Sequence, residues 1–163
     1  MNSPMQAHYL ALQSYETWAM KEVMGSLATV PAENTAGPAF TRALQILGHI
    51  QVARRVWLSR LEGRPDRPDD WFPAWKPDQL VQTADQLDRR WHDFIMHAGA
   101  DDFRKEIEYT SSEGVAYTSR VGDVLTHVYN HSTYHRGQVA RLVTEAGGRR
   151  ATTDYIALVR KQR

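Results

Sequence analysis

Cysteine is missing altogether, and with it go disulfides, thiolate metal sites and a cysteine nucleophile. Imidazole and carboxylate are left as the strong ligands. Long apolar runs are missing too. No stretch nears the ~20 residues that crossing a bilayer takes, and MNSPMQAHYLALQ lacks the basic start, apolar run and cleavage site of a secretory leader. Net charge is equally scarce: 20 lysines and arginines face 19 acids, for +1 overall. A large basic footprint is therefore absent, and nucleic acid and membrane are not expected partners. These absences leave a soluble protein with cytoplasm as the default compartment and a small molecule as the expected partner. A chain of 163 residues suits one domain, 1–163, able to bury a core without staples.

Four segments carry helical periodicity. In 6–28, Tyr9, Leu12, Ala19, Val23 and Leu27 recur at spacings of three and four or their sums, and Pro31 marks the stop. A second helix opens at Gly37-Pro38 and runs through Phe40, Leu44, Leu47, Val52, Val56 and Leu61 to Gly63. A third is expected from an Asp78 cap through Leu80, Ala84, Leu87, Trp91 and Ile95 to Gly99. The fourth begins near Arg120 and stops at Gly147-Gly148. Thr152, Thr153 and Asp154 would cap a short last helix ending at Arg160 and Lys161.

The connections are as informative. GRPDRPDDWFPAWKP, 63–77, holds four prolines and three large aromatics, so it reads as an ordered strap over the bundle. Trp71, Phe72 and Trp75 are expected to cap the bundle end in preference to lining a pocket. KEIEYTSSEGVAYTS, 105–119, alternates on both sides of Ser-Ser-Glu-Gly and predicts a hairpin. The fold class is thus all-α: a four-helix bundle with long crossover connections and a small β-hairpin before the last long helix. Either long connection could cross the bundle from end to end at up to ~3.3–3.6 Å per residue.

HVYNHSTYHRGQ, 127–138, places three of the seven histidines four residues apart. Residues at that spacing are rotated by only about 40°, so His131 and His135 leave one helix face a turn apart and could share a metal ion. Val124, Gln138 and Leu142 lie near the same direction, which predicts a stripe facing inward. A lone H-x-x-x-H pair is more often a polar stripe or a set of bonded core histidines. His49 changes that weighing, because it sits on the apolar face of the second helix with Ile46, Ala53 and Val56, where a neutral imidazole needs partners. It also lies mid-helix, as His131 and His135 do, so the three can converge whichever way the helices run. Three imidazoles without a fourth protein ligand are the pattern of catalytic zinc, whose open position takes water or substrate. His127 stands one turn, ~5.4 Å, further along and is expected beside the ligands or lining the pocket. His8, His92 and His97 read as surface residues.

HVYNHSTYHRGQ resembles the fourth-helix signature of the DinB family, the DinB/YfiT-like metalloenzymes, with its N-H-x-x-x-H-R-G-Q run. YETWAMKEVMGSL resembles the family's Y-x-x-W-A segment, LGHIQVARRVWLSRL its single-histidine helix, and TTDYIALV its closing T-D-x-I segment. The resemblance covers nearly the whole chain. It implies a four-helix bundle holding one divalent ion, usually nickel or zinc, at the positions of His49, His131 and His135. Some members are thiol transferases, and others are isomerases or hydrolases. Within the motif, Gly137 would permit close helix approach, and Arg136 would leave the stripe and bond a neighbouring element such as Asp154. Gln138 returns to the stripe, where it could bond a ligand histidine or a bound water.

The expected function is metal-dependent activation of water or a low-molecular-weight thiol for attack on a small electrophile, as a transferase or hydrolase. The alternative is a non-catalytic sensor whose ion organises a small-ligand pocket. Glu16, Tyr15, Tyr109 and Tyr117 could approach the mouth, but the tyrosines suit packing better and no general base is named. An apolar face left uncovered would favour a homodimer.

Overall fold

The computed structural model describes residues 3–161, so the outermost residues of the expected 1–163 domain lie outside the description. Helix α1 spans Pro4–Leu27, α2 Pro38–Leu61 and α3 Pro77–His97; strands β1 Glu106–Thr110 and β2 Ala116–Arg120 precede α4 Val121–Glu145 and the short α5 Tyr155–Val159. No helix among the described residues is long and apolar enough to cross a membrane.

The termini follow local chemistry. Ser3 caps α1 by accepting the Gln6 N–H at 3.2 Å, with Pro4 in the first turn, so the helix starts earlier than periodicity alone predicts. In α3, Asp78 lies in the first turn and not at the cap. Lys76 is the cap residue, with Pro77 behind it and its N–H held by Gln79 Oε1 at 3.0 Å. Gly63 and Gly147 adopt left-handed φ of 71° and 85° and end α2 and α4, as the sequence predicts. Helix α5 stops at Val159, short of Arg160 and Lys161.

The main packings are α1 on α3, α1 on α4, α2 on α3 and α2 on α4. Contacts fix the directions. The amide of Gln6, early in α1, meets the carbonyls of Ile95 and Met96 late in α3, while Tyr9 reaches Gly122 at the start of α4. Helices α1 and α4 are therefore parallel, and α3 runs against α1. Trp57 lies against His127 and His49 against His135, which sets α2 antiparallel to α4. The order is up-down-down-up, and the 62–76 connection does cross the bundle lengthwise. The connection from α3 to α4 joins ends that lie together and spends its length on the hairpin, with Tyr109 opposite Tyr117.

The core falls into two apolar halves. One gathers Met20, Val23, Phe40, Leu47, Leu80, Val139 and Val143; the other gathers Tyr9, Leu58, Trp91, Ile95, Phe103 and Leu125. Each large side chain so buried contributes on the order of 1.5–3 kcal/mol. Between the halves lies a polar belt to which all four long helices contribute: Gln13 and Glu16, Gln51 and Arg54, Asp88, and Tyr129 and Arg136. Arg54 bonds Asp88 at 2.6 Å, and Arg136 pairs with Glu16, so two cations and two anions balance. The belt fixes how α4 is rotated. Leu125, Val128, Ser132, Arg136 and Val139 face inward, and the histidines lie along one side of that stripe.

Candidate metal centre

His49, His131 and His135 meet in the seam between α2 and α4, half-buried, and each offers one ring nitrogen within 4.8 Å of the others. The stripe does not point into the bundle as the sequence suggests. Arg136 and Ser132 take the inward positions, at 1% and 0% exposure, and displace the histidines to the open seam. The rings are packed closely: centroids are 4.7 Å apart for His49 and His135 and 4.4 Å for His131 and His135.

Hydrogen bonds settle which nitrogens face inward on the cluster. The Trp71 carbonyl can only accept, so His49 Nδ1–H donates to it at 2.9 Å, leaving a lone pair on Nε2. That Nε2 lies 3.2 Å from His131 Nε2. His135 Nδ1 contacts Gln138 Oε1 at 3.0 Å; with the amide oxygen accepting, its Nε2 is likewise free. Two of the three imidazoles are thus held at their outer nitrogens in the manner that orients metal-ligating histidines.

Burial, with lesser effects from the charges of His135 and Arg42, lowers the His49 pKa despite the Trp71 carbonyl, which acts to raise it. His131 is pushed down to about 3, chiefly by burial and then by His135, His49 and His127. Both are neutral at pH 7, as ligands must be. Nitrogens around a tetrahedral ion at ~2.0–2.1 Å stand about 3.3–3.4 Å apart. The 3.2 Å pair matches that edge, and a pair at the 4.8 Å limit would draw in by about 1.4 Å. The residues fit a divalent ion, and the three histidines could hold one.

The strap supplies half of this architecture. Asp66 returns onto α2 by bonding Ser59 and Arg55, the Trp71 carbonyl meets His49, and the Phe72 ring stacks on the His49 ring at 4.1 Å and 6°. Gly48 makes this approach possible, because a Cβ there would sit 2.1 Å from the Pro73 carbonyl oxygen. Trp71 and Phe72 therefore wall the site and do not cap the bundle end, while Trp75 packs on the apolar core. The sequence signal for this was a glycine inside an otherwise sound helix, directly before the lone histidine of α2.

Other residues fall differently from expectation. Arg136 bonds Glu16 and Thr133 Oγ1, the latter at 2.8 Å, and not Asp154, because its inward rotation aims it at α1. Glu16 is fully buried in that pair and does not reach the mouth. Tyr15 faces Arg136 and bonds the Thr153 carbonyl. Gly137 is exposed, and a Cβ there would meet nothing within 4 Å, so it mediates no close approach. His127 stands outside the close set, with its ring 5.6 Å from His131 and 5.4 Å from Trp57. Tyr109 packs edge-on to Trp57 and stacks with Tyr117 on the hairpin. His8, His92 and His97 are exposed.

Fold and cluster together define a helical-bundle protein with a three-histidine candidate metal centre. The model of the DinB family matches residues 5–162, and the chain belongs to that family. It is similar to Protein DinB of Bacillus subtilis (strain 168), at 22% identity over 155 residues covering 88% of this chain and 89% of that protein. No solved structure matches the chain.

Proposed function

We propose that His49, His131 and His135 hold one divalent transition-metal ion, zinc or nickel, and that the protein is a metal-dependent enzyme of transferase or hydrolase type. The observation that carries this reading is the gathering of one ring nitrogen from each histidine within 4.8 Å of the others, with the bonds to Trp71 and Gln138 leaving Nε2 of His49 and of His135 unprotonated. Such an ion supplies Lewis acidity, enough to activate water or a low-molecular-weight thiol near neutral pH. Trp71 and Gln138 hold the tautomers, Phe72 shields one face of His49 from solvent, and His127 lines the approach along the seam. The chain brings no thiol of its own to compete.

One observation favours a second reading, a sensor whose ion organises a ligand pocket without turnover. Glu16, the carboxylate buried behind the cluster, is tied to Arg136 and is not free to move protons. Metal content of tag-free protein, with His49→Ala and His131→Ala beside it, tests the ligand set: one ion per chain lost in both variants is expected, and retention in both would overturn it. Turnover of thiol-plus-electrophile and ester panels by metal-loaded protein then separates enzyme from sensor. Our working picture is a single-domain cytoplasmic homodimer, checked by fractionation and light scattering.

A further inference from the structure

A cleft of about 730 Å³ lies between the strap and the hairpin, next to a recess of about 290 Å³ that shares Arg60, Trp71 and Tyr109 with it; no histidine lines either. Its size is that of a small-molecule site. One residue links it to the candidate centre, and a second links it to His127, which stands outside the close set. Trp71 forms part of its wall while its carbonyl holds His49, and Trp57 lines the recess while facing His127.

Arg60 defines the chemistry. Its guanidinium lies 4.6 Å from the Trp57 ring centroid and 4.9 Å from that of Tyr109, and one N–H donates to the Thr110 carbonyl at 3.0 Å. A guanidinium has five donors, so most remain for a ligand. Two acids line the cleft: Asp66 on the strap side, paired with Arg55 at 2.8 Å, and Glu108 on the hairpin side, which is exposed. With Asp66 held by Arg55, and with Arg67 and Glu108 both exposed and opposite in sign, half-buried Arg60 is the cation the cleft offers a ligand, beside walls of Trp57, Trp71, Tyr109 and Tyr117.

We infer that this cleft binds the body of the substrate, and that the substrate class is an organic anion with a flat apolar skeleton. The carboxylate or similar group would meet Arg60 as a charge-assisted fork, and the skeleton would stack on the indole and phenol rings. This deepens the metal-centre reading, on which it rests only for which end of the ligand reacts; binding itself needs no ion.

Titration calorimetry of the metal-free full chain with naphthalene-2-carboxylate and its neutral carboxamide tests it. The carboxylate is expected to bind at least about tenfold more tightly, the least a charge-assisted bond confers. Arg60→Met should abolish that preference while leaving the carboxamide unchanged, and Arg60→Lys, which keeps stem and charge but loses the fork, should retain part of it. His131→Ala should leave it intact, which separates failure of the cleft from failure of the metal site. Equal affinity for acid and amide in the unaltered chain, binding of neither in the millimolar range, or an unchanged preference in a folded Arg60→Met would each overturn the inference.

Discussion

Replacing Glu16 by methionine should destabilise the metal-free protein by about 3–5 kcal/mol, the cost of breaking a buried pair from one side. Glu16 is 0% exposed and Arg136 1%, so neither charge has water to fall back on. Without the carboxylate, Arg136 keeps only the Thr133 hydroxyl and the face of Tyr15, while Arg54 loses an anion 3.8 Å away and retains Asp88. At ~2–4 °C per kcal/mol for a chain of this size, the melting temperature should fall by roughly 6–20 °C. The double variant Glu16→Met/Arg136→Met removes both charges and fills the space with apolar atoms, so it should recover most of the loss. Urea unfolding of the two single variants and the double gives the coupling directly. A Glu16→Met cost below ~1 kcal/mol, or a double variant as unstable as the summed singles, would refute the belt as a coupled network.

The other predictions concern the site. Gly48→Ala should drive the Pro73 backbone away, break the Trp71 bond to His49 and weaken metal binding by about 10–100-fold, measured by competition with a chelator. Gln138→Leu should weaken it over the same range by freeing the His135 ring, with helix content unchanged by circular dichroism. Because burial and its histidine neighbours hold His131 at about 3, well below the ordinary ~6.5, the unfolded chain takes up this proton first. Metal-free stability should therefore be full above pH ~6.5 and fall as pH drops toward 3, and His131→Ala should remove close to one proton from that slope in urea melts. An unchanged slope would contradict the assignment.

Much of the fold was legible because α2, α3 and α4 bury apolar residues at the expected spacing and end at Gly63 and Gly147, whose backbone conformation favours glycine. The cluster was legible for the same reason: histidines four apart leave one face wherever that face points. Its depth was not. Glu16 was expected near the mouth and Arg136 on Asp154, and nothing local marks Gln13, Gln51 or Arg54 as buried; only their mutual neutralisation, invisible from any one helix, allows them inside. The strap's role was hidden for a related reason, since it acts through the Trp71 carbonyl, a group every residue carries. Sequence predicted an ordered strap but set Trp71 and Phe72 at the bundle end, and it could not say that they anchor on His49.

Diffraction data collected at the metal's absorption edge, from crystals of tag-free protein grown metal-replete, bear most directly on the central claim. A single anomalous peak in the seam between α2 and α4, at ~2.0–2.1 Å from one nitrogen each of His49, His131 and His135, is the predicted result. Rings turned apart with no peak between them, or a peak held by other residues, would contradict it.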